Sequence, residues 1–414
     1  MQKLRYMESW QRNLLLLWIG CLVTSASYSM VIPFLPLFLL QIGVHHHTEL
    51  WSGMLYSAAF FAGALSAPFW GTLADRYGRK PMIVRAGISL AVLYVLMSFV
   101  QNPYELLVLR VLMGLLSGYI PGAIALVGTS TPEHKVGYSL AMISTASSTG
   151  GILGPLLGGA IARIFNNRIA FASAGIMVLL STLLVIFWVH ETSFTPAKDK
   201  QSTFQSVGLA MRNRPLVLVM LLTVLTSFSI MTIEPVLPLY IVQIGGSVKN
   251  ASLLAGIVFS LTGIASVVFA PRWGRWSEKT GFLKILWIGL LGGALGNLAQ
   301  IPFHNIWGFS VVRFIYGAFF CAVYPALNGL VVKSTAVDFR GRAFSLNQTA
   351  NQVGTMLGPL VGGALAGAYS VHSVFWVTGL LLLLTTLIGY ILRHQFTVKN
   401  LPSTQSLENM PLSE

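Results

Sequence analysis

The sequence predicts an all-α membrane protein, twelve transmembrane helices arranged as two six-helix repeats. Three observations carry that prediction. Of 414 residues, 55% are hydrophobic and only 9% are charged, against about 25% charged in an average soluble domain. Apolar runs of roughly twenty residues recur along the whole chain; that is the length needed to cross a hydrocarbon core of ~30 Å. The third observation is internal repetition: several short segments return in the same order about 203 residues later.

The spans are expected near residues 13–41, 50–73, 82–100, 104–128, 138–163 and 168–189, and again near 215–242, 252–272, 283–301, 306–330, 342–367 and 372–392. The first run opens after Arg12. It is too long for a signal-peptide core and no small-residue cleavage site follows it, so it is read as span one. The repeats tie the two sets together. Ile32-Pro33-Phe34-Leu35-Pro36-Leu37 in span one returns as Glu234-Pro235-Val236-Leu237-Pro238-Leu239 in span seven. Ala67-Pro68-Phe69-Trp70-Gly71, closing span two, returns as Ala270-Pro271-Arg272-Trp273-Gly274. Arg110-x-x-x-Gly114 in span four returns as Arg313-x-x-x-Gly317, and Gly150-x-x-x-Gly154-Pro155 with Gly158-Gly159 in span five returns as Gly354-x-x-x-Gly358-Pro359 with Gly362-Gly363. A period this long is too large for a solenoid. In an apolar chain it marks two homologous halves, the arrangement of transporters whose site lies between repeats. The halves are expected at 1–190 and 215–393, joined by a cytoplasmic linker at 191–214 and followed by a polar cytoplasmic tail at 394–414.

Charge sets the orientation. With the N-terminus inside, 21 of the 26 Lys and Arg residues fall in inner loops and tails. Arg163, Arg168 and Lys249 fall outside, while Arg110 and Arg313 fall within spans. This is the positive-inside pattern. It accounts for the net charge of +14 through anionic lipid headgroups rather than nucleic acid. Cys21 and Cys321 both lie in expected spans and read as small apolar residues. His45-His46-His47 reads as a polar outer turn, because no Cys or carboxylate cluster accompanies it. No phosphate-cradling loop, metal spacing or nucleophile constellation is present. An enzyme or a non-transporting receptor is therefore the least favoured reading, no cofactor or metal is expected, and ATP is not the expected energy source.

Gly71-Thr72-Leu73-Ala74-Asp75-Arg76-Tyr77-Gly78-Arg79-Lys80 resembles the signature of the loop between spans two and three of the major facilitator superfamily. Arg110-x-x-x-Gly114 resembles the fourth-span signature of its proton-coupled members, and Gly20 with Pro33-x-x-Pro36 the first-span signature of its twelve-span branch. Gly150, Gly154, Pro155, Gly158 and Gly159 resemble the fifth-span signature of its drug:proton antiporters. The resemblance covers roughly residues 10–393. It is nearest to bacterial multidrug exporters of the fosfomycin/deoxycholate and fluoroquinolone efflux type. It implies the major facilitator fold, a monomer, alternating access, and amphipathic drugs and protons as the partners.

Each motif also has its own physical reading. Gly71 and Gly78 permit a tight turn. Asp75 among Arg76, Arg79 and Lys80 can form a charge-assisted network, and the resemblance casts that network as a gate; the alternative is a basic loop that only sets topology. Gly150, Gly154 and Gly158 share one helical stripe along which helices approach closely. The expected partner of that stripe is span eight, and that of residues 354–363 is span two; the alternative is static packing. Glu234 is the one acid expected deep in a span, just before Pro235 and Pro238, where the helix should break. Desolvation favours its protonated form, so it is the candidate proton site; the alternative is a hydrogen-bonded acid near the outer interface. Arg110, which cannot deprotonate, would act on the proton electrostatically, or bond span-one carbonyls. Tyr28, Tyr119, Tyr316, Tyr324, Asn328, Asn347 and Asn351 are the candidate cavity residues. Such a mostly apolar wall suits varied amphipathic drugs better than a sugar. The expected function is proton-coupled multidrug export, and the alternative is a narrow-substrate metabolite, sugar or lipid transporter on the same scaffold.

Overall fold

The computed structural model describes residues 8–191, 203–245, 248–336 and 339–397. Residues 192–202 of the expected linker and residues 398–414 of the expected tail lie outside the described residues. Among the described residues the regular structure is helical. The chain runs α1 (Ser9–Met30), α2 (Leu35–Gln41), α3 (Thr48–Tyr77), α4 (Arg79–Met97), α5 (Pro103–Leu115), α6 (Tyr119–Ser130), α7 (Val136–Ile164) and α8 (Asn167–Trp188). It continues with α9 (Thr203–Arg212), α10 (Arg214–Ile233), α11 (Leu237–Gly245), α12 (Val248–Thr280), α13 (Phe282–Leu298), α14 (Ile306–Phe320), α15 (Val323–Lys333), α16 (Arg340–Ala368) and α17 (Val371–Ile391).

Ten helices or helix pairs are long and apolar enough to cross a membrane. The other two expected spans are present as helices that miss that standard for different reasons. α13 is only 17 residues long. α16 is 29 residues long but carries Asn347, Gln348, Asn351 and Gln352 along its length.

Four expected spans are each two helices in line. Span one breaks at Val31–Phe34 and span seven at Glu234–Val236, where Pro33, Pro36, Pro235 and Pro238 withhold backbone donors. Span four breaks at Leu116–Gly118, with Gly118 at φ 129°, and span ten at Cys321–Ala322. In a membrane the carbonyls freed by a break need internal partners. The repeated tryptophans supply them. The Trp70 indole N–H donates to the Leu115 carbonyl at 2.6 Å, and the Trp273 indole N–H donates to the Ala318 carbonyl at 2.7 Å. In span four Arg85 adds a bond to the Ser117 carbonyl at 3.0 Å while its guanidinium stacks over the Trp70 ring at 3.3 Å. By contrast, Pro68, Pro155, Pro271 and Pro359 lie inside continuous helices. Caps repeat as well: Asn102 accepts from Glu105 N at 2.9 Å and Asn305 from Gly308 N at 2.7 Å, each satisfying an otherwise orphaned donor.

The chain forms two compact units. One takes Met1–Lys198 with Pro235–Gly263, the other Asp199–Glu234 with Ile264–Glu414. The chain thus passes between the units after Lys198, at the break in span seven and again within α12. The first unit's core holds Leu17, Phe34, Phe38, Tyr94 and Phe171, with Phe171 edge-on to Phe34 and Phe38 at 5.0 and 5.2 Å. The second's holds Leu222, Leu286, Leu290, Phe320 and Leu382. Large apolar side chains such as Leu65, Phe99, Val267 and Val311 remain exposed on the outside, as lipid-facing helix surfaces require.

Candidate functional site

In the second unit the carboxylate of Glu234 stands at the end of α10, on the first residue of the break. It is partly buried. Arg313 of α14, 5% exposed, is close enough to interact with it electrostatically. Arg313 Nη1 also donates to Gln300 Oε1 at 3.3 Å, and the Tyr316 ring lies 5.0 Å away. Gln300 is itself fully buried and oriented by bonds from its amide to the Gly296 carbonyl and to Asn297 Oδ1, at 2.9 and 3.2 Å.

Arg110 belongs to the first unit. It is 6% exposed and lies among Tyr28, Tyr56 and Tyr94, with the Tyr56 ring at 6.0 Å. Two of those rings are anchored: Tyr56 donates to the Ile32 carbonyl in the span-one break, and Tyr94 to the Ser27 carbonyl, both at 3.1 Å. The cation that shares a unit with Glu234 is therefore Arg313, the repeat mate of Arg110.

The cavity candidates separate into three groups. Asn347, Asn351 and Tyr324 form a polar seam with α10, in which Thr223 donates to Asn347 Oδ1 at 2.8 Å, Ser227 donates to Asn351 Oδ1 at 2.5 Å, and Ser227 shares a 3.2 Å bond with the Tyr324 hydroxyl. Tyr324 and Asn328 are exposed on α15. Tyr316 is buried and stacked on Phe320 at 5.3 Å, Tyr28 is half-buried against Tyr94, and Tyr119 is fully buried with its hydroxyl end against Gly20. Tyr119 is thus packed between helices and not presented to a cavity.

At the loop between α3 and α4, Asp75 is half-buried and has no hydrogen-bond or ion-pair partner among the described residues. The carboxylate that organises the loop is Glu191, just beyond α8. It accepts from Arg79 N at 3.0 Å and Lys80 N at 2.9 Å, the open N-terminal donors of α4, and so also meets the positive end of the helix dipole. Arg79 Nη1 donates to Thr129 Oγ1 at 2.6 Å and Lys80 Nζ to the Ile186 carbonyl at 2.9 Å. Arg76 lies over the Tyr77 ring, Gly71 is open on its Cβ side, and Gly78 takes φ 99°. Sequence reasoning treated Glu191 as linker. The usable signal was a helix start with no acid in its first turn, which requires an acceptor from elsewhere.

The glycine stripe differs from expectation. Gly150, Gly154 and Gly158 face α1, against the backbone of Leu22, Ala26 and Met30, and not span eight. The face beside the stripe meets α12: Gly159 abuts the Ser252 carbonyl, Gly256 abuts the Pro155 carbonyl, and Ser260 donates to the Ile152 carbonyl at 2.7 Å. Gly354, Gly358 and Gly362 face α10, against Val224, Phe228 and Thr232. In each half the glycine stripe packs against that half's first, broken span.

Comparison with known proteins shows the family. The family model of the Major Facilitator Superfamily matches residues 17–269 and again 219–412. The chain belongs to the major facilitator superfamily. It is a multi-pass membrane transporter, and it is not an enzyme. It is 37% identical over 373 residues to the multidrug resistance protein MdtG of Salmonella dublin, covering 89% of this chain and 92% of that one, and equally to that of Salmonella schwarzengrund. Among solved structures, a bacterial homologue of the human lysosomal transporter Spinster in an inward-facing, unoccupied conformation matches with a TM-score of 0.78 at 14% identity, over 94% of this chain and 98% of that one. The nucleoside transporter NupG matches with a TM-score of 0.75 at 13% identity, over 94% and 100%. These two likenesses speak to the fold alone.

Proposed function

We propose that this chain is a proton-driven exporter of amphipathic drugs in the bacterial cytoplasmic membrane, working as a monomer with both termini inside. One observation carries the reading: a chain 37% identical to a multidrug resistance protein holds a carboxylate, Glu234, at a helix break beside the buried cation Arg313. A charged group within a span costs at least ~2.5–3.5 kcal/mol on insertion scales, so it is usually there for function. Ionised Glu234 neutralises Arg313. Protonated Glu234 leaves Arg313 uncompensated, a difference that favours one arrangement of the surrounding helices over another. Arg313 itself keeps its proton throughout. Arg110 plays the corresponding electrostatic part in the first unit, where three tyrosines and no acid surround it.

In this mechanism the six-span halves, 1–190 and 215–393, rock about the midplane. Drug enters from the cytoplasm or inner leaflet, and proton binding at Glu234 from outside drives the return. Each charge moved through 100 mV supplies about 2.3 kcal/mol. The Glu191 clamp on α4 stiffens the gating loop, and Asp75, left without a partner, is the carboxylate available to pair when that loop changes state. The close contact of Gly159 and Gly256 supports α7 against α12 as a seal that opens and closes. The test is ethidium efflux from whole cells. Efflux that an uncoupler abolishes and Glu234→Gln loses is the expected result; efflux indifferent to the uncoupler removes the proton from the mechanism.

A further inference from the structure

A groove of about 550 Å³ lies between the start of α1 and the start of α7, and none of the proposed cavity residues lines it. Trp10, Gln11, Leu14 and Trp18 supply one wall, and Tyr138 and Met142 the other. The spacing explains the walls: positions 10, 11, 14 and 18 share one side of a helix, as do 138 and 142. Trp18 is fixed by its indole N–H, which donates to Thr145 Oγ1 at 3.2 Å. The Trp10 indole N–H donates to the carboxylate of Glu8, which holds a negative charge at the rim, while no charged side chain lines the interior. The volume falls in the range of small-molecule sites. Three electron-rich rings and a thioether, with an acid at the edge, make a surface for a flat ring system that carries positive charge. Tryptophan faces are the best partners for such cations, and a flexible Met adapts to rings of different outline.

We infer that this groove is a capture site for planar aromatic cations, occupied before the drug reaches the central cavity. The inference rests on the export reading and deepens it. With the N-terminus inside, the start of α1 lies at the cytoplasmic face, where an exporter must collect its cargo. A lipid chain is the competing occupant, but it makes no use of the fixed rings or of Glu8.

Ethidium titrated into the full chain in lipid nanodiscs, followed by anisotropy, tests the site. Trp18→Ala and Tyr138→Ala should each raise Kd about fivefold, and Trp18→Phe should recover most of the loss. Glu8→Gln should raise Kd for ethidium and leave binding of the neutral dye Nile red unchanged. Thermal midpoints close to wild type show that the variants are folded. An unaltered Kd in Trp18→Ala overturns the inference, as does a wild type that binds no ethidium. Brominated lipid that quenches Trp18 and is not displaced by ethidium assigns the groove to lipid and equally overturns it. Failure of the export reading looks different: the wild type then moves no drug against an uncoupler-sensitive gradient, whatever the groove variants do.

Discussion

At the residue scale two carboxylates take defined places, Glu234 at the span-seven break and Glu191 on the start of α4, and only the first was legible in the sequence. Glu234 stood out because acids are rare in spans and because Pro235 and Pro238 announced a break; the structure has the break at that residue. Its partner was not legible. Arg110 and Arg313 occupy equivalent repeat positions, so spacing cannot say which one reaches the acid. Glu191 was hidden for another reason. It follows span six directly, in a stretch that reads as linker, and its partners are backbone N–H groups 112 and 111 residues away. Charge-assisted hydrogen bonds are worth roughly 1.5–3 kcal/mol when well buried, and less for this half-exposed loop. Glu191→Ala should therefore lower the thermal midpoint modestly, by the equivalent of about 1 kcal/mol, and slow turnover. Asp75→Asn should leave the midpoint alone and affect turnover only. The pair of melts and efflux rates checks this, and an Asp75→Asn protein as destabilised as Glu191→Ala would contradict the assignment of the clamp.

At the element scale, helices lie at all twelve expected positions among the described residues, and ten of them are long and apolar enough to cross a membrane, because hydrocarbon thickness dictates their length. The breaks in spans four and ten were not read, although the repeated Pro121 and Pro325 just after them withhold backbone donors; Gly118 and the repeated Trp70 and Trp273 were further signals. The glycine stripes were read correctly as close contacts but assigned to the wrong neighbours. Small residues announce that a helix is near and do not say which helix. Because Gly158 abuts the backbone of Met30, a side chain there collides with main chain that cannot move aside. Gly158→Leu should destabilise the first unit itself, by about 1–3 kcal/mol or more, and not merely jam a sliding surface. Gly151→Leu, on an exposed face with nothing within 4 Å, is the matched control. Size-exclusion profiles and thermal melts of the two variants separate them; equal stability would return the stripe to a purely conformational role.

The whole molecule is where repetition explains most. One six-span plan, written twice, yields paired breaks, paired tryptophan bonds, paired caps and paired glycine stripes. It also yields a pair of buried arginines. The acid is where the copies differ: span seven has Glu234 where span one has Ile32. A duplicated scaffold thus supplies the fold, and Glu234, present in one copy only, is the group we propose for proton exchange. The central claim is that this group couples drug to proton. The most direct test is proton movement driven by drug alone, read with a pH-sensitive dye trapped in liposomes that contain the purified chain. The account predicts a pH change on addition of drug to the wild type, lost in Glu234→Gln and altered in Arg313→Gln, with drug binding kept in both. A drug-driven pH change of wild-type size in Glu234→Gln would contradict it.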